Sequence, residues 1–167
     1  MLHRFSARMA TWQIWLLCLS GALLWLSGVV WLLLHYFAQT AGEFGPQANP
    51  LESWMLRLHG FFLIPLLLGI GGLFIAHIPK GWQQHRQRVA GVILASLLGL
   101  LILSGYFLYY LGNESWRSFT SIAHWSIGIA LPAVFLWHFI QGHRRRRHQR
   151  TDIEEVENQG HEARITV

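Results

Sequence analysis

The sequence predicts an all-α membrane protein, an up-down-up-down bundle of four transmembrane helices. Three observations carry that expectation. Hydrophobic residues make up 53% of the 167-residue chain and charged residues only 13%, where an average soluble domain has about 25% charged. Four apolar runs, Trp12–Phe37, Leu58–Ile78, Val89–Leu111 and Ser118–Ile140, hold no charged residue in their interiors. Each reaches the length of about 20 residues that a hydrocarbon core requires. The runs are also long and continuous, which suits helices rather than the alternating pattern of barrel strands.

The first run follows a basic start, Met1–Ala10, as a leader would. It is far longer than the roughly 7–15 apolar residues of a signal peptide, and "FAQTAGEFG" offers no good small-x-small cleavage site. It is expected to be a retained span. Cys18, the single cysteine, lies inside it. No intramolecular disulfide is possible, no C-x-x-C-H motif attaches a c-type haem, and Cys18 is expected to be a small buried hydrophobe.

The connection "AQTAGEFGPQANPLES" after span one is rich in Gly, Pro and Asn, and suits an ordered turn or short cap over the outer mouth of the bundle. The links "PKGWQQHRQR" and "GNESWR" are shorter, so sequence neighbours are antiparallel. Three regions follow: 1–11 as a cytoplasmic N-terminus, 12–143 as the bundle, and 144–167 as a polar tail, disordered or weakly helical.

Charge fixes the expected orientation. With four spans, the termini and the loop between spans two and three share one side. That side has eleven Lys and Arg residues, and the other has only Arg57 and Arg117. Positive residues stay cytoplasmic, so both termini are expected there. The net charge of +5 then reports topology rather than nucleic-acid binding. The run "HRRRRHQR" reads as a stop-transfer and lipid-headgroup anchor. Trp54, Trp82, Trp116 and Trp137 near span ends suit interfacial belts.

The chemistry-bearing pattern is histidine. His59 and His77 bracket span two, and His124 and His138 bracket span four. At 100° per residue, eighteen residues close five turns and fourteen come within about 40° of closing four. Each span therefore presents two imidazoles on one stripe, about 27 Å and about 21 Å apart along the axis. Spans two and four run in the same direction, so His59 faces His124 near the outer side and His77 faces His138 near the inner. Each facing pair is what a bis-imidazole b-type haem requires, and intramembrane ionisable groups are functional by default.

Gly60, Gly69, Gly71, Gly72 and Gly128 either clear room for a flat macrocycle or serve close helix packing. His35 ends span one and either neighbours the outer pair or replaces His59, while His143 is an alternative to His138. Pro65 and Pro132 are candidate bends. Arg57 and Arg117, beside the outer histidines, suit haem propionates or lipid headgroups. Lys80 and Arg86 suit the inner haem in the same way, and His85 a propionate or a quinone.

Four spans, the "LHG" opening of span two and the H-x13-H pair of span four resemble bacterial di-haem membrane cytochromes b. The nearest in pattern are the cytochrome b-561 family and the cytochrome b subunits of formate dehydrogenases and nickel–iron hydrogenases, and the likeness covers most of Trp12–His143. In the b-561 pattern, spans two and four ligate the outer haem, which maps onto His59 and His124. That pattern draws an inner ligand from span one, where this chain has none, so His77 takes its place opposite His138.

The resemblance implies two non-covalent haems and electron transfer across the membrane between a quinone pool and a separate redox protein. It leaves an oligomer or a larger complex open. Two other readings compete. One is a self-sufficient oxidoreductase acting on superoxide or a ferric chelate, and the other is a haem-free assembly or transport protein.

Overall fold

The computed structural model describes residues 11–43, 45–83 and 88–165, with backbone alone at 76, 77, 80, 81, 83, 143 and 145–165. Four helices dominate: α1 (Thr11–Phe37), α2 (Leu51–Gln83), α3 (Arg88–Tyr110) and α4 (Glu114–Ile165). All four are long and apolar enough to cross a membrane. Their large side chains point outward: Ile75 is 83% exposed and Tyr109 88%. That is how a helix surface looks when its solvent is lipid.

Apart from Glu52, the buried positions are small instead. Ser20 and Ser27 are the buried residues of α1, one heptad apart on the face toward α2. Their hydroxyls donate to carbonyls one turn back, Ser20 to Leu16 and Ser27 to Leu24 (2.5 and 2.8 Å). A hydroxyl satisfied in this way can sit between helices that share no water. In lipid, apolar area gives helices little reason to associate, so close approach through small side chains holds them. Gly21 meets Leu66, and Gly69 meets Leu17. Along these contacts residue numbers rise in α1 as they fall in α2, so the pair is antiparallel.

The second pair repeats the arrangement. Ser104 back-bonds to Leu101 (3.1 Å), Gly105 lies on His124 and Gly91 on His138, so α3 and α4 are antiparallel too. Main-chain packing joins α1 to α2, α3 to α4 and, more sparsely, α1 to α4.

Caps set the helix starts. Asn49, Pro50, Leu51 and Glu52 form a capping box: the Asn49 side chain accepts from Leu51 N (3.0 Å), and Glu52 accepts from Asn49 N (3.2 Å). Pro50 stands at the first helical position, where its missing N–H costs nothing. This is why α2 begins seven residues before its apolar run. At α4, Asn113 accepts from Trp116 N (3.1 Å). Pro65, Pro79 and Pro132 all lie inside helices.

The cap expected over the outer mouth is a hairpin, Thr40–Gly42 paired with Gly45–Gln47. Gly45 supplies the positive φ of 114°, and Asn49 Nδ2 ties the hairpin to the Ala38 carbonyl (2.9 Å). On the other side of the bundle, Arg88 donates to the Trp82 carbonyl (2.6 and 3.1 Å) with its guanidinium over the indole. That bond joins the end of α2 to the start of α3.

One expectation changes. Cys18 is exposed on the outer face of α1, because the buried stripe is set by Ser20 and Ser27, and Cys18 lies off it. The polar tail, expected as disordered or weakly helical, continues α4 as helix to Ile165.

Candidate functional site

The site grows from α2 and α4, each supported by its antiparallel neighbour. His59 lies in the third turn of α2 and His124 in the third turn of α4. Their ring centres are 6.3 Å apart, with the planes at 70°. Both rings are half-buried.

The helix behind each histidine fixes it. His59 Nδ1 lies 2.9 Å from the Leu24 carbonyl and 3.3 Å from Ser27 Oγ. A carbonyl only accepts, so Nδ1 carries the hydrogen. His124 Nδ1 lies 2.8 Å from Ser104 Oγ and also bonds the Leu101 backbone. The Ser104 hydrogen is directed to Leu101, so Ser104 accepts from the ring. In both histidines Nε2 is left with its lone pair and, among the described residues, no hydrogen-bond partner. A second hydrogen bond that fixes the tautomer and aims the ring is the usual support of a metal-binding imidazole.

Glycine makes the fit possible. A Cβ at Gly28 would stand 3.0 Å from His59 Cε1, and one at Gly105 would stand 3.4 Å from His124 Cε1. The two supports are the same motif. "LLWLSG" (23–28) and "LLILSG" (100–105) place Leu, Ser and Gly at matching steps: the carbonyl, hydroxyl and gap that receive a ring. Sequence reasoning missed Ser27, Gly28, Ser104 and Gly105. The six-residue repeat was the signal that could have found them.

The other expected residues are placed as follows. His138 is half-buried beside Gly91, whose Cβ position lies 3.9 Å from its Cε1. His77 lies in α2, and its side chain, with those of Lys80 and His143, is outside the described residues. His85 and Arg86 are outside them entirely. Gly69 and Gly72 face Leu17 and Gln13 of α1, so helix packing accounts for them rather than macrocycle clearance. Gly60 and Gly71 meet open space, and Gly128 makes an ordinary contact with Leu101. Arg57 lies over the Trp54 ring (4.9 Å), and Arg117 is exposed on the first turn of α4.

His35 does not join the imidazole pair. It bonds Glu52 Oε2 through Nδ1 at 3.0 Å. Two buried indole N–H groups, on Trp31 and Trp125, have no partner among the described residues. Trp125 adjoins His124, and Trp31 lies one turn beyond Ser27.

The arrangement brings two imidazoles from two helices to ring centres 6.3 Å apart, each with an Nε2 of the kind that can ligate a metal. Among the described residues no group of three His, Cys, Asp or Glu side chains gathers into a protein-only metal shell. Comparison with known protein families, with curated proteins and with solved structures finds no match to this chain.

Proposed function

We propose that the chain is a di-haem b-type cytochrome of the membrane, carrying electrons between a quinone pool and a redox partner protein. The observation that carries this is the His59–His124 pair. Imidazole nitrogens bind metals at about 2 Å and lie about 1.2 Å from their own ring centre, so two rings across one metal have centres about 6.4 Å apart. The separation here is 6.3 Å. Two imidazoles without further protein ligands among the described residues would suit a group that brings the rest of its iron ligands with it.

In this reading His59 and His124 hold the outer haem, and His77 and His138 the inner. Bound haem supplies one-electron ferric–ferrous exchange. The chain's own part is to bind and aim. Leu24 and Leu101 fix the tautomers, Ser27 and Ser104 limit ring rotation, and Gly28 and Gly105 admit the rings. The orphaned indole N–H groups of Trp31 and Trp125 suit carboxylate acceptors such as propionates. The bundle runs up-down-up-down with both termini cytoplasmic, in agreement with the charge bias, and the membrane is the bacterial cytoplasmic one. The likeness to di-haem cytochromes b supplies the quinone and the partner.

The test is an absorption spectrum of the purified protein with a haem count. Wild type should show sharp reduced α-bands and two haems per chain. His59→Ala and His124→Ala should each leave one, and the same one. His77→Ala and His138→Ala should each leave the other. A colourless, well-folded preparation rejects the reading. Two haems retained in His77→Ala would reject the inner pairing alone.

A further inference from the structure

The outer end of the α1–α2 pair holds a second histidine site, and the imidazole pair makes no use of it. His35 Nδ1 lies 3.0 Å from Glu52 Oε2; the Glu52 side chain is 11% exposed and the His35 side chain 42%. The carboxylate is held in place, since its Oε1 accepts the Asn49 N–H of the capping box. The ring is held as well. Trp31 stacks on it at 4.8 Å and 14°, and Tyr36 meets it edge-on at 5.0 Å. A carboxylate offers only acceptors, so in the neutral ring the hydrogen sits on Nδ1. Nε2 is then a fixed acceptor with no partner among the described residues.

The surroundings narrow the ligand. The site sits where an apolar span ends, beside the exposed rings of Tyr36 and Phe37 (54% and 83%). An amphipathic aromatic molecule with a polar hydroxyl edge settles at that depth. A lipid phosphate does not suit it, because an acceptor nitrogen backed by a carboxylate repels an anion. A phenolic O–H suits both the nitrogen and the neighbouring rings.

We propose that the His35–Glu52 pair binds the head group of a lipid-soluble hydroquinone through a hydrogen bond from its hydroxyl to His35 Nε2. The proposal rests on the quinone-linked reading above and deepens it. The site reads the reduced form, since an oxidised quinone has carbonyl acceptors and nothing to donate. Glu52 sets that preference by fixing the tautomer.

The experiment uses the full chain in lipid nanodiscs and a pair of redox-inert probes: an alkylresorcinol, which donates, and its dimethyl ether, which only accepts. Wild type should retain the resorcinol at least about tenfold more tightly than the ether, because a site built around a donor rejects the analogue lacking it. Decyl-ubiquinol, with the protein pre-reduced, should displace the resorcinol. Glu52→Gln is the decisive variant. Glutamine keeps the capping box, but its amide N–H then faces His35 Nδ1 and moves the ring hydrogen to Nε2. The preference should collapse or invert in favour of the ether.

Equal binding of the two probes by wild type, failure of decyl-ubiquinol to compete, or an unchanged preference in Glu52→Gln each overturns the site. Binding is read without haem absorbance, so the two readings fail separately. A colourless protein that still prefers the resorcinol rejects the haem and keeps this site. A haem-loaded protein indifferent to the hydroxyl does the reverse.

Discussion

The α1–α2 half and the α3–α4 half support their histidines by one rule and differ in how tightly they apply it. Each takes a Leu carbonyl, a Ser hydroxyl and a Gly gap from the first helix of the pair and fits them to an imidazole on the second. In the first half the carbonyl bond is the short one (2.9 Å against 3.3 Å for Ser27). In the second half the serine bond is short, at 2.8 Å. The halves diverge most at the outer mouth. A hairpin and the His35–Glu52 pair crown the first, and a brief link through Asn113 closes the second. In the proposed reading the shared part would hold the haem, and the unshared part would meet the hydroquinone.

The largest asymmetry should appear at the glycines. Gly28→Ala puts a methyl 3.0 Å from His59 Cε1 and 3.2 Å from Nδ1. The ring cannot retreat without stretching its bond to Leu24. Overpacking of this kind costs about 1–3 kcal/mol, which corresponds to a loss of about tenfold or more in haem affinity. Gly105→Ala meets His124 at 3.4 and 3.9 Å, near ordinary contact, and should change affinity no more than about twofold. Haem titration checks the ranking, and thermal unfolding of the haem-free chain checks it independently. Equal effects would mean that the two gaps are not matched to their rings.

The glycines also mark what was legible beforehand. The four spans follow from hydropathy, because a helix in lipid must be apolar along its length whatever its neighbours. The facing of His59 and His124 follows from helical periodicity, which is a property of one chain segment at a time. The supports are relational. Gly28 and Gly69 look alike in sequence, yet one receives an imidazole and the other receives Leu17, and only the neighbouring helix decides which. That is why the sequence leaves Gly69 and Gly72 open between macrocycle clearance and helix packing, and only the structure places them against α1. The early start of α2 was readable from Asn49, Pro50 and Glu52, and so was the Leu-Ser-Gly repeat. Both are local signals overshadowed by the apolar runs beside them.

The serines should reverse the order of the glycines. Ser104→Ala removes the 2.8 Å partner of His124 Nδ1, whereas Ser27→Ala removes only the 3.3 Å contact of His59 and leaves its 2.9 Å bond to Leu24. Losing one neutral hydrogen bond costs about 1 kcal/mol, and losing an outer-shell partner of a metal ligand lowers affinity about 10–100-fold. Ser104→Ala is expected in that range, with a shifted midpoint potential for the outer haem, and Ser27→Ala below it. Should Ser27→Ala prove the more damaging, its role is to keep α1 and α2 close rather than to orient the ring.

The smallest differences should lie at the caps, where the halves again use one device to different depth. Asn49 belongs to a reciprocal box with Glu52, while Asn113 makes a single bond to Trp116 N. Replacing an N-cap by alanine costs about 0.5–2 kcal/mol. Asn49→Ala should fall in the upper part of that range, because besides the bond from Leu51 N it cuts the tie from Asn49 Nδ2 to Ala38, although the backbone N–H that Glu52 accepts is kept. Asn113→Ala should fall in the lower part. Neither residue bonds His59 or His124, so in the proposed reading the haem count should equal that of wild type in both. Only Asn49→Ala should weaken resorcinol binding, because without the cap and the tie to Ala38 the first turn of α2, which carries Glu52, is held less firmly against His35. A variant that lowers thermal stability, keeps its haem and loses the head-group preference would separate the crown of the first half from the machinery the halves share.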